Sequence, residues 1–275
     1  MSFSCPSSWS LLLTFVQVTL SCTLLQPGVN HLWTTPILRR QLIDDPNSLS
    51  MVTDAILRFR ALSSSEGSDP GGYDGWDDET PNDRFFNVQR QSWEKGEPFF
   101  LQTSASEAEC EAYRCLRAAW LAEAHAYVSE AASASVADAL FEGGPPRLFV
   151  WASVHEGSSA HERHDHECSA VSGVFYVAAP LGSGRIRFED PRVARLYWGS
   201  SQFEHTELAH SPSNGELLLF PPWLVHSVDS SDGAMGPRIS ISFNLYSAGE
   251  GRAAADRQAL AVSKGSERSR LPPNL

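Results

Sequence analysis

Residues 161–168, HERHDHEC, place three imidazoles, three carboxylates and a thiol in eight consecutive positions, directly ahead of the apolar run AVSGVFYV. His164 and His166 are two residues apart. On a β-strand, residues two apart project to the same side, so a strand entering here would present both rings as a chelating pair and turn Asp165 the other way. A third histidine, His226, lies far along the chain in FPPWLVHSV, between two apolar runs. Two donors from one strand and one from a distant strand make a facial set that leaves metal positions open for exchangeable ligands. His161 stands three residues before His164, the wrong parity for the same strand face. His155, His205 and His210 have no such pairing.

The elements that would have to hold these residues are short strands. From Arg147 the texture changes to apolar stretches separated by turn signals: 147–155, 170–180, 184–190, 215–222, 224–230 and 238–247. The second is apolar on both faces, as a central strand is. In RISISFN, Arg238, Ser240, Ser242 and Asn244 share one face, and Ile239, Ile241 and Phe243 the other. Alternation alone leaves open whether the polar face looks inward or to solvent. Regularly spaced short strands with no helices between them predict a sandwich or barrel over 147–247.

Ahead of them, residues 31–146 read as a mainly helical part packing on the core. One short helix is expected over 42–62, capped by Asn47 or Ser48. A long one is expected over 104–140, with Ser106 and Glu109 as a capping box and Tyr113, Leu116, Trp120, Ala124 and Tyr127 as its buried stripe. Between them, 63–84 is an acidic, Gly-rich loop lacking the residue order of a calcium loop. Residues 1–30 are apolar and uncharged over 9–25, which suggests secretory-pathway or organelle targeting, with a cytoplasmic chain as the alternative. No other integral membrane segment is expected. Residues 248–275 read as a disordered polar tail.

The composition narrows the chemistry. The 275-residue chain carries a net charge of −12 with a pI near 5.2 and no basic patch, which argues against a nucleic-acid partner. Lys95 and Lys264 are its only lysines, so a Schiff-base mechanism is improbable. Five cysteines without CxxC spacing exclude a zinc-finger or disulfide scaffold.

From VWASVHEG through HDHECSAVSGVFYVAAPLGSGRIRFEDPR and GELLLFPPWLVHSV to RISISFN, the chain resembles a family of iron(II)/2-oxoglutarate-dependent oxygenases. HLWTTPILRR near residue 31 resembles that family's start. The resemblance implies a mainly β fold with N-terminal helices around a double-stranded β-helix, a jelly-roll, cupin-like core. It makes His164, His166 and His226 the iron ligands and Arg238, with Ser240 beside it, the holder of the distal carboxylate of 2-oxoglutarate. It implies hydroxylation of an unknown substrate by O2, with release of succinate and CO2 and with ascorbate as an optional accessory. The commoner triad of such enzymes has two histidines and one carboxylate. Here the second position is His166, so Asp190 of FEDPR, or Glu167, stays an alternative ligand. A cupin-like three-histidine dioxygenase or isomerase that does not use 2-oxoglutarate, and a non-catalytic jelly-roll binding module, are the competing readings.

Overall fold

The computed structural model describes residues 34–65, 85–88, 91–92, 97–98, 106–142, 146–157, 159–166, 169–192, 207–231 and 233–247. The expectations for residues 1–30, for nearly all of 63–84, for Glu167 and for the whole tail lie outside these. The chain divides into two units, 1–35 and 36–275. Only residues 34 and 35 of the first are described, so the following concerns the second. Among the described residues no helix is long and apolar enough to cross a membrane.

In chain order the elements are β1 (Leu38–Gln41), α1 (Pro46–Ser65), β2 (Phe85–Val88), β3 (Gln91–Ser92), β4 (Glu97–Pro98), α2 (Glu107–Ala131), α3 (Ala134–Phe141), β5 (Arg147–His155), β6 (His161–His164), β7 (Val171–Ala178), β8 (Ile186–Glu189), β9 (Glu207–His210), β10 (Glu216–Phe220), β11 (His226–Val228) and β12 (Arg238–Tyr246). Four pairings explain the core. β5 pairs with β12, β6 with β11, β7 with β10 and β8 with β9, all antiparallel. This is one long two-stranded ribbon, outgoing through β5 to β8 and returning through β9 to β12. The ribbon is wound so that β12 also pairs with β7, and β11 with β8. Two sheets result, with β10-β7-β12-β5 in one and β6-β11-β8-β9 in the other. That winding is a double-stranded β-helix.

β1 and β2, from the part expected to be helical, extend the first sheet at its two edges. β1, LRRQ, has no apolar alternation to reveal it. Its backbone pairs with β10, while Arg39 bonds the buried Glu216 at 2.9 Å. Gly215 holds this corner. Its amide donates to the Tyr176 carbonyl at 2.7 Å, and its carbonyl accepts from the Leu42 amide at 2.9 Å. Its φ is +76°, and a Cβ there would lie 1.8 Å from the Ile43 carbonyl oxygen, so only glycine fits.

The helices lie on the outer face of the six-stranded sheet. Ile239, Ile241, Phe243 and Leu245 of β12 point into this layer, against Val52 and Ile56 of α1 and Tyr113, Leu116 and Trp120 of α2. Trp120 is fully buried, stacked on Phe243 with ring centroids 5.1 Å apart and tilted on Phe175 at 5.7 Å. The expected stripe and the Ser106–Glu109 capping box are both present. Two local expectations are corrected. Asp45, rather than Asn47 or Ser48, caps α1. Its carboxylate accepts from the Ser48 amide at 3.0 Å, and Pro46 occupies the first helical position, where no donor is needed. The single helix expected over 104–140 is two. The Ser133 hydroxyl oxygen accepts from the Val136 amide at 3.3 Å, and Ser133 starts α3 as a new N-cap.

With the apolar face of β12 committed to the helices, its polar face looks inward. Arg238 and Ser240 are buried between the sheets, beside an apolar cluster that includes Tyr176, Ile186, Phe188 and Phe220.

Candidate metal centre

β6 ends at His164 and β11 begins at His226, and the two residues are register partners. Each ring is tethered at one nitrogen by its own backbone. His164 Nδ1 lies 2.7 Å from the Glu162 carbonyl oxygen, and His226 Nδ1 lies 2.9 Å from that of Leu224. A carbonyl only accepts, so each Nδ1 carries the hydrogen and each Nε2 keeps its lone pair. His166 lies two residues beyond the end of β6, so strand alternation does not place it. Its amide donates to the Pro222 carbonyl at 2.8 Å, and its ring meets Trp151 edge-on at 5.6 Å. One ligand atom from each of His164, His166 and His226 falls within 4.8 Å of the others.

The parity argument against His161 does not hold. His226 faces His164 while Val228 faces His161, so three residues of β6 span two of β11. This β-bulge returns His161 to the same face as His164. Their rings stack with centroids 4.0 Å apart and planes 27° apart.

The three histidines line a pocket of about 440 Å3, counting its open mouth. Along its wall β5 and β12 run in register. Ser242 faces Trp151 beside His166, Ser240 faces Ser153 and Arg238 faces His155. Among the described residues the lining includes no aspartate or glutamate. Burial holds His164 below the ordinary imidazole range. It does so more strongly for His161, His166 and His226, where neighbouring imidazoles add to it. His155 is pushed down to about 3, by burial first and by the Arg238 charge second. All five rings are therefore neutral near pH 7, the state a metal ligand requires.

Arg238 is 2% exposed. Its guanidinium lies over the Tyr176 ring, 5.0 Å from the centroid. Its Nε has no hydrogen-bond partner, nor does the buried Tyr176 hydroxyl, and no carboxylate of a described residue pairs with it. Glu216, fully buried on the inner face of β10, is committed to Arg39, His210 and Ser213. A buried cation without a counter-charge among the described residues is costly, and this end of the pocket has the chemistry to take an anion.

Asp190 does not join the imidazoles. Arg192 Nε lies 2.8 and 3.0 Å from its two oxygens, and it is not among the groups whose ligand atoms converge. Sequence reasoning overlooked Trp151 and Tyr176 as pocket residues and set His155 aside for want of a paired histidine. The signal for His155 was available: pairing 147–155 end to end with 238–246 sets it opposite Arg238.

A family model described as "Putative 2OG-Fe(II) oxygenase" matches residues 149–244. No curated protein matches the sequence. Solved structures do. A prolyl-4-hydroxylase from Pseudomonas putida is 12% identical, with 79% of this chain and 96% of that chain covered and a TM-score of 0.46. AviO1 from Streptomyces viridochromogenes is 13% identical, with 78% and 91% covered and a TM-score of 0.49. A prolyl hydroxylase from Trichoplax adhaerens, in complex with a hypoxia inducible factor peptide fragment, is 14% identical, with 88% and 94% covered and a TM-score of 0.41.

Proposed function

We propose that this chain is a 2OG-Fe(II) oxygenase, on the family-model match over residues 149–244, that His164, His166 and His226 hold one iron(II) ion, and that Arg238, with Ser240 beside it, grips the distal carboxylate of 2-oxoglutarate. The observation that carries this reading is Arg238 itself. It is a buried guanidinium with an unpartnered Nε, in the same pocket as three convergent imidazoles, where no described lining residue carries a carboxylate.

The residues fit the groups they would hold. Two of the three rings have their Nδ1 hydrogens tied to backbone carbonyls, so their Nε2 lone pairs are free. A planar guanidinium binds a carboxylate through two parallel hydrogen bonds and never loses its charge. The Tyr176 hydroxyl, buried beside it, can add a third donor. Three neutral ligands leave a divalent ion's charge uncompensated, and a dicarboxylate supplies the balance that the described lining residues lack. When bound, iron(II) couples the reduction of O2 and the oxidation of 2-oxoglutarate to succinate and CO2 to hydroxylation of a substrate C–H bond. The protein's part is placement and dryness. Trp151 braces His166, and apolar walls that include Val174, Ile186 and Phe220 limit water around the reacting groups.

A cupin-like dioxygenase or isomerase working without 2-oxoglutarate is also consistent with an all-imidazole donor set, but that reading leaves Arg238 without a task. Anaerobic titration of 2-oxoglutarate into iron(II)-loaded protein separates the two. The oxygenase reading expects a metal-to-ligand charge-transfer band saturating at one equivalent, followed by succinate on admission of O2. Metal-loaded protein that shows no band and releases no succinate belongs to the second reading.

A further inference from the structure

His161 has no part in the metal set described above, yet the fold goes to some length to place it there. A strand of regular alternation would have turned it away from His164. The bulge in β6, three residues against two of β11, turns it back. Its ring then lies almost flat against the His164 ring, 4.0 Å between centroids and 27° between planes. The backbone bond from His164 Nδ1 to Glu162 restrains that ring at one atom, which still allows it to rock about the bond. A flat neighbour against its face removes that freedom. His226 reaches comparable restraint differently, with Phe220 edge-on at 4.8 Å in a buried setting. His164 is only half-buried, so a brace on its face has more to do there.

We propose that His161 is a positioning residue of the metal centre. By stacking on His164 it keeps the Nε2 of that ligand aimed at the point where the three imidazoles converge. This inference rests on the triad reading given under Proposed function. It assigns His161 no bond to the metal. What it requires of residue 161 is a flat aromatic face at the bulge.

The test uses cobalt(II) alone as the probe, on the full chain, with affinity and visible spectrum as readouts. Far-UV circular dichroism of the metal-free proteins checks the fold. Loss of an outer contact on a metal ligand typically costs about ten- to a hundredfold in metal affinity. His161→Ala is expected to lose that much and to alter the cobalt band pattern, while His161→Phe restores both. His161→Leu fills the space without a flat face, and it is expected to behave as His161→Ala even if the alanine protein folds poorly. Wild-type affinity and spectrum in His161→Ala or His161→Leu would overturn the proposal. So would a His161→Phe protein as impaired as His161→Leu, since the face contact would then not be the cause. Wild-type protein that binds no cobalt would overturn the triad reading together with this one, which keeps the two failures distinguishable.

Discussion

His164 and His226 make the same bond: each donates its Nδ1 hydrogen to the carbonyl two residues before it in the chain, and the two residues face each other across β6 and β11. Both rings are therefore tethered at Nδ1 before any metal arrives, by contacts that lie at strand ends and outside the two apolar clusters. Replacing either with alanine should remove the metal and leave the fold. Metal present at a hundredfold above its Kd adds about 2.7 kcal/mol to the unfolding free energy of wild-type protein. Anaerobic urea unfolding with and without iron(II) should show that increment in the wild type and none in His164→Ala or His226→Ala. An increment that survives His226→Ala would remove that residue from the ligand set.

For the proposed iron site, the third ligand is a choice between His166 and a carboxylate. The structure brings His166 to the other two and leaves Asp190 with Arg192. His166→Ala should therefore lose iron(II) in a metal titration, and Asp190→Asn should keep nearly all of it. The reverse order of effects would make this a two-histidine, one-carboxylate centre.

The sheet that carries Arg238 is held flat against the helices by Trp120, stacked on Phe243 and tilted on Phe175. Trp120→Ala leaves a cavity under β12 and should cost about 3–5 kcal/mol, read from the urea midpoint. Trp120→Phe, which keeps a ring on Phe243, should cost distinctly less. A loss below 1 kcal/mol for the alanine variant would mean that the helical layer is not anchored there.

How much of this could be read from residues alone follows from which interactions are local. The strands β5, β7, β10 and β12 declare themselves because each must present an apolar face, and the capping box of α2 is a four-residue signal. The strands β1, β6 and β9 carry LRRQ, HERH and ELAH, polar sequences that pair through backbone alone and leave no periodic trace. His164, His166 and His226 were legible through spacing together with the block resemblance. His161 was misjudged because a bulge is a property of two strands, and one strand's parity cannot reveal it. The inward face of Arg238 was undecidable until Ile239, Ile241 and Phe243 were seen to pack on the helices.

The neutral imidazoles make acid the weakness of the metal-free protein. His155 has its folded value pushed down to about 3, against roughly 6.5 in the unfolded chain. Below 6.5 the unfolded chain takes up a proton that the folded chain refuses, so stability is full above that pH and falls through the window from 6.5 to 3. Between pH 7.5 and 5.5 one such histidine costs about 1.4 kcal/mol. The lowered values of His161, His164, His166 and His226 act in the same direction. Urea unfolding of chelator-treated protein should show a decline over that range, and His155→Gln should make it shallower. A flat profile would mean that these rings are protonated in the fold.

On the proposed reading, Arg238 serves the cosubstrate and not the metal. It lies in the pocket opposite His155, on the face shared with Ser240, and it is not among the groups that converge on the metal position. Arg238→Ala should therefore bind iron(II) as the wild type does. What it loses is a set of charge-assisted hydrogen bonds worth about 1.5–3 kcal/mol each. At about 1.4 kcal/mol per tenfold, the loss of one such bond weakens 2-oxoglutarate roughly ten- to a hundredfold, and the loss of two weakens it more. Arg238→Lys should recover only part, because an ammonium cannot reproduce the planar fork. Tyr176→Phe should cost less than either, since it removes one neutral donor and keeps the ring beneath the guanidinium. Anaerobic titration of 2-oxoglutarate into the iron(II)-loaded variants, followed by the charge-transfer band, ranks all three. Wild-type affinity in Arg238→Ala would overturn the assignment of Arg238 to the cosubstrate.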